Sequence, residues 1–224
     1  MLDTTRLFQL VEQLRNAAIG PPAWMAEKEV FEYEEQSPKT VAVLKLIRAA
    51  QALTAMEMLC RAGLFIDFGV SIRCLNDCCE EIYFLLEEYP KASGNVEKFS
   101  KAFFENTIDG YLDAETEPVE RKKIRAAVVR VLKGGQDDAT QKLLERIYET
   151  FCGYAHANYA HIMEVYNGST NDFNLAGVPS DEQCTMRMAH VELAAGSVLH
   201  AAEFVAQRFE LNELHGELLK LLDG

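Results

Sequence analysis

Residues 64–89, LFIDFGVSIRCLNDCCEEIYFLLEEY, decide how this chain folds. The stretch is apolar nearly all round, the mark of a helix enclosed by other helices rather than one lying on a surface. Within it stand Arg73, Asp77, Glu80 and Glu81. Arg73 and Asp77 are four apart and share a face, and Glu80 and Glu81 follow one turn further along it. A charge in an enclosed helix has to be paired or used. This face is therefore the first place to look both for partner helices and for a site.

Upstream, Ser37-Pro38 sets a capping side chain ahead of a proline at the first helical position. The spacing of Val43, Leu44, Ile47, Leu53, Met56 and Leu59 predicts a helix to about Ala62. A single rod over residues 38–89 would be about 78 Å long at 1.5 Å per residue, too long for a domain of this size. A turn is predicted near Gly63 or Gly69, and Pro90 closes the central helix. Further upstream, Asp3 caps a first helix with Leu7, Leu10, Val11, Leu14 and Ala18 on one stripe, ended by Gly20-Pro21-Pro22. Residues 23–35 are predicted as a short helix holding Trp24, Val30 and Phe31, with Glu27, Glu29, Glu32, Glu34 and Glu35 on a solvated face.

Downstream, a helix is predicted over 95–109 with Val96, Phe99, Phe103 and Ile108. Thr116 caps the next, which ends at Gly134-Gly135. Asp137 or Asp138 caps a long helix to about Tyr166, with Gly153 inside it at a place suited to a close helix crossing. Residues 167–179 read as the one long loop. Ser180 and Gln183 form a capping box for a helix to about Phe209, and Leu211, Leu214, Leu218 and Leu221 mark a short amphipathic one. The fold expected is all-α: one domain, 1–224, a bundle of seven to nine helices with short connections. Its N-terminal helices lie in 1–36, its core helices in 37–166 and its C-terminal helices in 180–224.

The formal net charge of −13 argues against general binding to DNA or to anionic membrane, since both require a basic face. No run approaches the roughly 18 apolar residues of a membrane span. The N-terminus lacks the basic and apolar regions of a signal peptide. Three of the six cysteines, Cys74, Cys78 and Cys79, fall on one helix, where bridging geometry is rare. Reduced thiols in a cytoplasmic protein are the expectation.

Four groups of residues are candidates for chemistry. Arg73, Asp77, Glu80 and Glu81 make either a charged site or an ion-pair network that fixes packing. Residues 148–166, YETFCGYAHANYAHIMEVY, concentrate Tyr, His and Asn. His156 and His161 are about 140° apart around a helix, so they are not a two-histidine metal pair; Tyr154 shares a face with His161, and Cys152 with His156. A di-metal bundle needs Glu-x-x-His motifs that are missing, and the cysteines lack zinc spacing, so no metal and no cofactor are expected. The run Arg121, Lys122, Lys123, Arg125, Arg130 and Lys133 contains no acid and reads as an exposed face, or else as a phosphate or RNA contact without base-stacking aromatics.

Gly63-Leu64, the Arg73-x-x-x-Asp77 helix ending at Tyr89-Pro90, and the segment from Tyr148 through His156 together resemble uncharacterised all-helical bacterial proteins grouped with the AbiV-like and HEPN-like families. The resemblance covers about half the chain. It implies a helical bundle, often dimeric, in which the Arg helix faces the His helix and Arg73, Asp77, Tyr154 and His156 line a shared polar site. The family's glutamate is Asp77 here, and its serine position is held by Gly153 or Tyr154. HEPN ribonucleases use Arg-x(4–6)-His; the chain carries that spacing once, Arg208 to His215, as often as chance supplies it. The function expected is a binding or interaction module with a polar pocket formed by Arg73, Asp77, Glu81, Tyr154, His156 and His161, acting on a ligand, a protein partner or its own copy. The alternative is a metal-independent ribonuclease or toxin component.

Overall fold

The computed structural model describes residues 2–105 and 118–223. The apolar stretch 64–89 forms α3 (Phe65–Leu86), and the helix before it is α2 (Pro38–Arg61). At 1.5 Å per residue both are about 35 Å long, and they fold back on each other as an antiparallel pair. The turn falls at Gly63, whose φ of +69° is readily adopted only by glycine. A Cβ there would collide with the backbone of Val178, whose amide donates to the Gly63 carbonyl at 3.0 Å. Gly69, the other predicted turn, lies inside α3.

The remaining helices are α1 (Thr4–Ala18), α4 (Gly94–Glu105), α5 (Arg121–Lys133), α6 (Asp138–Ala155), α7 (Tyr159–Met163), α8 (Asp181–Arg208) and α9 (Asn212–Asp223). The fold is all-α, with nine helices among the described residues and two minimal hairpins. α2, α3 and α8 pack on one another at the centre. α1 and α9 cover α2 and α8 on one flank, α5 and α6 lie on α3 on the other, and α4 rests on α2. The core is aliphatic and alanine-rich, with Leu46, Ala49, Leu53 and Met56 of α2 against Leu75, Ile82 and Leu86 of α3 and Val198, Ala202 and Val205 of α8. No described helix is long and apolar enough to cross a membrane.

The caps follow the sequence. Asp3 accepts the Arg6 amide at 3.0 Å, Ser37 the Thr40 amide at 3.3 Å, and Asp137 the amides of Ala139 and Thr140. Gly134 ends α5 in the left-handed region. Half of the predicted box at Ser180 forms: its hydroxyl accepts the Gln183 amide, while the Gln183 side chain turns to Arg187.

Three expectations are corrected. Residues 23–35 are not a helix. Ala23–Met25 (β1) pairs antiparallel with Val30–Glu32 (β2), and Trp24 stacks edge-on against Phe31 at 4.9 Å. Aromatic and β-branched side chains in directly opposed positions stabilise a strand pair, which outweighs the helix-favouring acids between them. The helix predicted to run to Tyr166 stops at Ala155. The amide of His156 closes α6 on the Cys152 carbonyl, Ala157 adopts φ +51°, and α7 begins after Asn158. The close approach at Gly153 is made by α7, whose His161 ring folds back on it and would be struck by a Cβ there. The long loop contains a second hairpin, Tyr166–Asn167 (β3) with Asp172–Phe173 (β4). Ile108 and the predicted cap Thr116 lie outside the described residues.

Candidate functional site

The charged face of α3 is enclosed by three helices: two bring it counter-charges and the third brings polar partners. α5 supplies Arg121, whose Nη2 bridges Asp77 at 2.8 Å and Glu81 at 2.9 Å. It also supplies Arg125, whose Nε stands 3.8 Å from Glu80, close enough to attract but too far for a hydrogen bond. α2 supplies Lys45, 2.6 Å from the second oxygen of Glu81. α6 supplies Tyr148, whose hydroxyl accepts from Arg73 Nη2 at 2.9 Å, and Cys152, whose sulfur meets Nη1. Arg73 also pairs with Asp77 at 3.4 Å. The guanidinium groups of Arg73 and Arg125 both stand over the Tyr148 ring, 4.3 and 4.0 Å from its centroid, a favourable cation–π arrangement.

Beside this network runs an open groove of about 450 Å³ between α2, α3 and the start of α5. Lys45, Arg48, Arg73 and Arg121 line it, against the two carboxylates Asp77 and Glu81. Four cations to two anions is a local excess of positive charge on a chain of net charge −13. Arg48 is exposed and has no ion-pair partner among the described residues. Arg121 Nη1 is buried without a hydrogen-bond partner in the protein. Cys74 and Cys78 form part of the α3 wall.

The buried groups are strongly perturbed. Burial raises the Glu80 carboxyl to about 7, with Arg125 and Arg121 pulling the other way. A hydrogen bond from the Cys78 thiol lowers that of Cys74 to about 6, helped by Arg48 and Lys45 and opposed by burial. The same bond, with burial, raises Cys78.

The predicted site residues divide. Arg73, Asp77, Glu80 and Glu81 sit together in the network. Tyr154 and His161 meet in a second cluster near the start of α3, their rings 4.1 Å apart. The Tyr154 ring lies directly on Gly69, where a Cβ would collide with it. Its hydroxyl donates to Glu164 at 2.7 Å, Glu164 pairs with Arg187 of α8 at 2.7 Å, and Arg187 covers the Phe65 ring at 3.9 Å. Burial, then the bond to Glu164, raises the phenol to about 12. This cluster locks α3, α6, α7 and α8 together, and it lies apart from the groove. His156 joins neither cluster: it is exposed at the end of α6, directly after groove-lining Ala155. Arg208 donates to the Glu87 carbonyl and His215 pairs with Glu203, so that spaced pair has separate partners.

The basic run is not a plain exposed face. Lys122, Lys123 and Lys133 are exposed, but Arg125 is buried and Arg121 half-buried against the acids of α3. Two stretches read separately in the sequence are therefore halves of one site. Lys45 and Arg48 stand outside the groups that the sequence singles out, whereas Tyr148 and Cys152 fall in the 148–166 stretch without being marked as partners of Arg73. The signal for the first two was their i, i+3 spacing, which puts both cations on one face of an otherwise apolar helix. Among the described residues no three His, Cys, Asp or Glu side chains stand together to hold a metal ion. No family model, curated protein or solved structure matches the chain.

Proposed function

We propose that this protein is a binding module whose groove takes a small anionic ligand, recognised through phosphate or carboxylate oxygens by Lys45, Arg48, Arg73 and Arg121. The observation that carries the reading is the cationic excess at that groove, with Arg48 unpaired and one Arg121 nitrogen unpartnered inside an acidic protein. Buried donors are ordinarily satisfied, so each exception calls for a cause. A ligand oxygen at the groove would supply one. The volume falls in the range of small-molecule sites, about 300–1,000 Å³.

The test is calorimetric titration with pyrophosphate and with citrate, together with the shift in melting temperature that ligand binding to the folded state produces. Arg48→Ala is the clean variant, because no ion pair is lost with it. A charge-assisted hydrogen bond is worth about 1.5–3 kcal/mol, so affinity should fall about tenfold or more while stability is unchanged. No binding of either anion at millimolar concentration, or binding indifferent to Arg48, would overturn the reading.

A second reading, the metal-independent ribonuclease, is supported by one observation: His156 follows directly on Ala155 at the edge of the groove, where the cations would hold a phosphodiester. RNA cleavage in chelator, lost in His156→Ala, would put it in place of the first. Sedimentation of the same samples checks the self-association that the resemblance implies.

A further inference from the structure

The groove carries something a simple anion site does not need, a pair of thiols. Cys74 and Cys78 are one helical turn apart on α3 and both line it, among the cations Lys45, Arg48, Arg73 and Arg121. Cys74 is the half-buried member; Cys78 is buried behind it. We propose that Cys74 is a site of thiol–disulfide exchange, and that its substrate class is a small acidic disulfide whose carboxylates are received by the cations of the groove. The inference rests on the anion-binding reading and adds a covalent step to it.

The small disulfide is itself the oxidant, and the step balances with no other co-reactant. The Cys74 thiolate attacks one sulfur of the small disulfide. A new bond forms between Cys74 Sγ and that sulfur, and the original sulfur–sulfur bond breaks. The second half leaves as a thiolate with the electron pair and takes a proton from water. Cys74 is oxidised and the leaving sulfur reduced.

The surroundings favour each part. Thiolates, not thiols, are the attacking species, and neighbouring cations favour them. The hydrogen bond from Cys78, with Arg48 and Lys45 nearby, favours the Cys74 thiolate against the opposing effect of burial. A thiol with a proton affinity near the ambient pH combines a high thiolate fraction with retained nucleophilicity. Cys78, held protonated by that same bond, attacks the mixed disulfide poorly, so the adduct should persist. Two buried thiols lack this setting. Cys60 is buried and raised to about 11, and Cys79 is buried and raised to about 12.

The experiment treats the reduced full chain at pH 7 with three disulfides: oxidised glutathione (acidic), 2-hydroxyethyl disulfide (neutral) and cystamine (cationic). Intact mass and peptide mapping follow each adduct with time. Cys74 should carry the first adduct. The acidic probe should react about tenfold faster than the cationic one, the ratio that a difference of about 1.4 kcal/mol gives, and the preference should shrink in Arg48→Ala and in high salt. Cys74→Ser should abolish the adduct, and Cys78→Ala, which removes the donor, should slow its formation below pH 7. First modification at Cys152 or Cys184, or a cationic probe as fast as the acidic one, overturns the inference. Pyrophosphate affinity of the reduced wild-type protein separates the two failures. If it binds while exchange shows no charge preference, only the covalent step is lost. If it does not bind, the anion site goes with it.

Discussion

Replacing Glu80 with glutamine should make this protein more stable from neutral pH upward and leave it unchanged near pH 4. The Glu80 side chain is 12% exposed and Arg125, its nearest cation, 7%. At 3.8 Å they attract without a hydrogen bond, and Glu80 Oε2 and Arg125 Nε are both left without hydrogen-bond partners in the protein. Burial outweighs the pull of Arg125 and Arg121, Asp77 and Glu81 add repulsion, and the carboxyl rises from 4.5 to about 7. The folded state therefore holds this proton more tightly than the unfolded chain does. The resulting stability is fully present below about pH 4.5 and is lost as pH climbs through 7. At 1.36 kcal/mol per pH unit, the rise corresponds to about 3 kcal/mol. Glutamine copies the protonated acid in shape and cannot ionise. Urea unfolding of the two proteins at pH 4, 5, 6, 7 and 8 should give a stability difference near zero at pH 4 and about 1 kcal/mol at pH 5. It should grow through pH 7 to as much as about 3 kcal/mol at pH 8 in favour of glutamine. A difference that does not vary with pH refutes the reasoning. So does a variant less stable at pH 8, which would mean that ionised Glu80 gains more from Arg125 than burial costs it.

Gly69→Ala tests the second cluster: alanine is the better helix former, but its Cβ would collide with the Tyr154 ring. Overpacking of that kind should cost about 1–3 kcal/mol, read by chemical denaturation, and Tyr154→Ala in the same chain should relieve most of it. Ser37→Ala removes the oxygen that accepts the Thr40 amide at the start of α2. A loss of about 1 kcal/mol is expected, with no change in pyrophosphate affinity, because the cap is distant from the cations in sequence and in role.

The fold was legible where period and punctuation agreed. The caps at Asp3, Ser37, Asp137 and Ser180 and the stop at Gly134 are local chemistry, and the structure uses each of them. What was not legible depends on contacts distant in sequence or on φ values. Trp24 and Phe31 become a strand pair only when they face each other across a turn, which a helical reading of the acids between them hides. The break after Ala155 rests on Ala157 at positive φ, a conformation that alanine does not advertise. The site was half legible. Charges inside a greasy helix showed that partners had to exist, but not that Arg121 and Arg125 would arrive from α5 and Lys45 from α2, since pairing between helices carries no spacing signal. Tyr154 and His161 were expected on one face and do meet, through a folded-back loop instead of a continuous helix.

A network that only fixed packing would be expected to close on itself. Buried ion pairs seldom repay the cost of taking charges out of water, and apolar replacements are often as stable. On the side towards α6 the network is shut off from solvent, although Arg125 Nε and Nη2 and Glu80 Oε2 find no hydrogen-bond partner: Tyr148 and Cys152 cover Arg73, and Arg125 shares the Tyr148 ring. On the side towards α2 it stays open, with Arg48 unpaired and Arg121 incompletely satisfied. That asymmetry distinguishes the two roles. The closed side sets the register of α5 and α6 on α3, and the carboxylates of Asp77 and Glu81 hold Arg121 and Lys45 at the rim of the open side. Cations fixed in this way lose little freedom when an anion arrives, so less of the attraction is spent on ordering side chains. The acids within the groove thus work for anion binding by orienting its cations. Removing Asp77 should on this argument weaken anion binding, although it would raise the local positive charge.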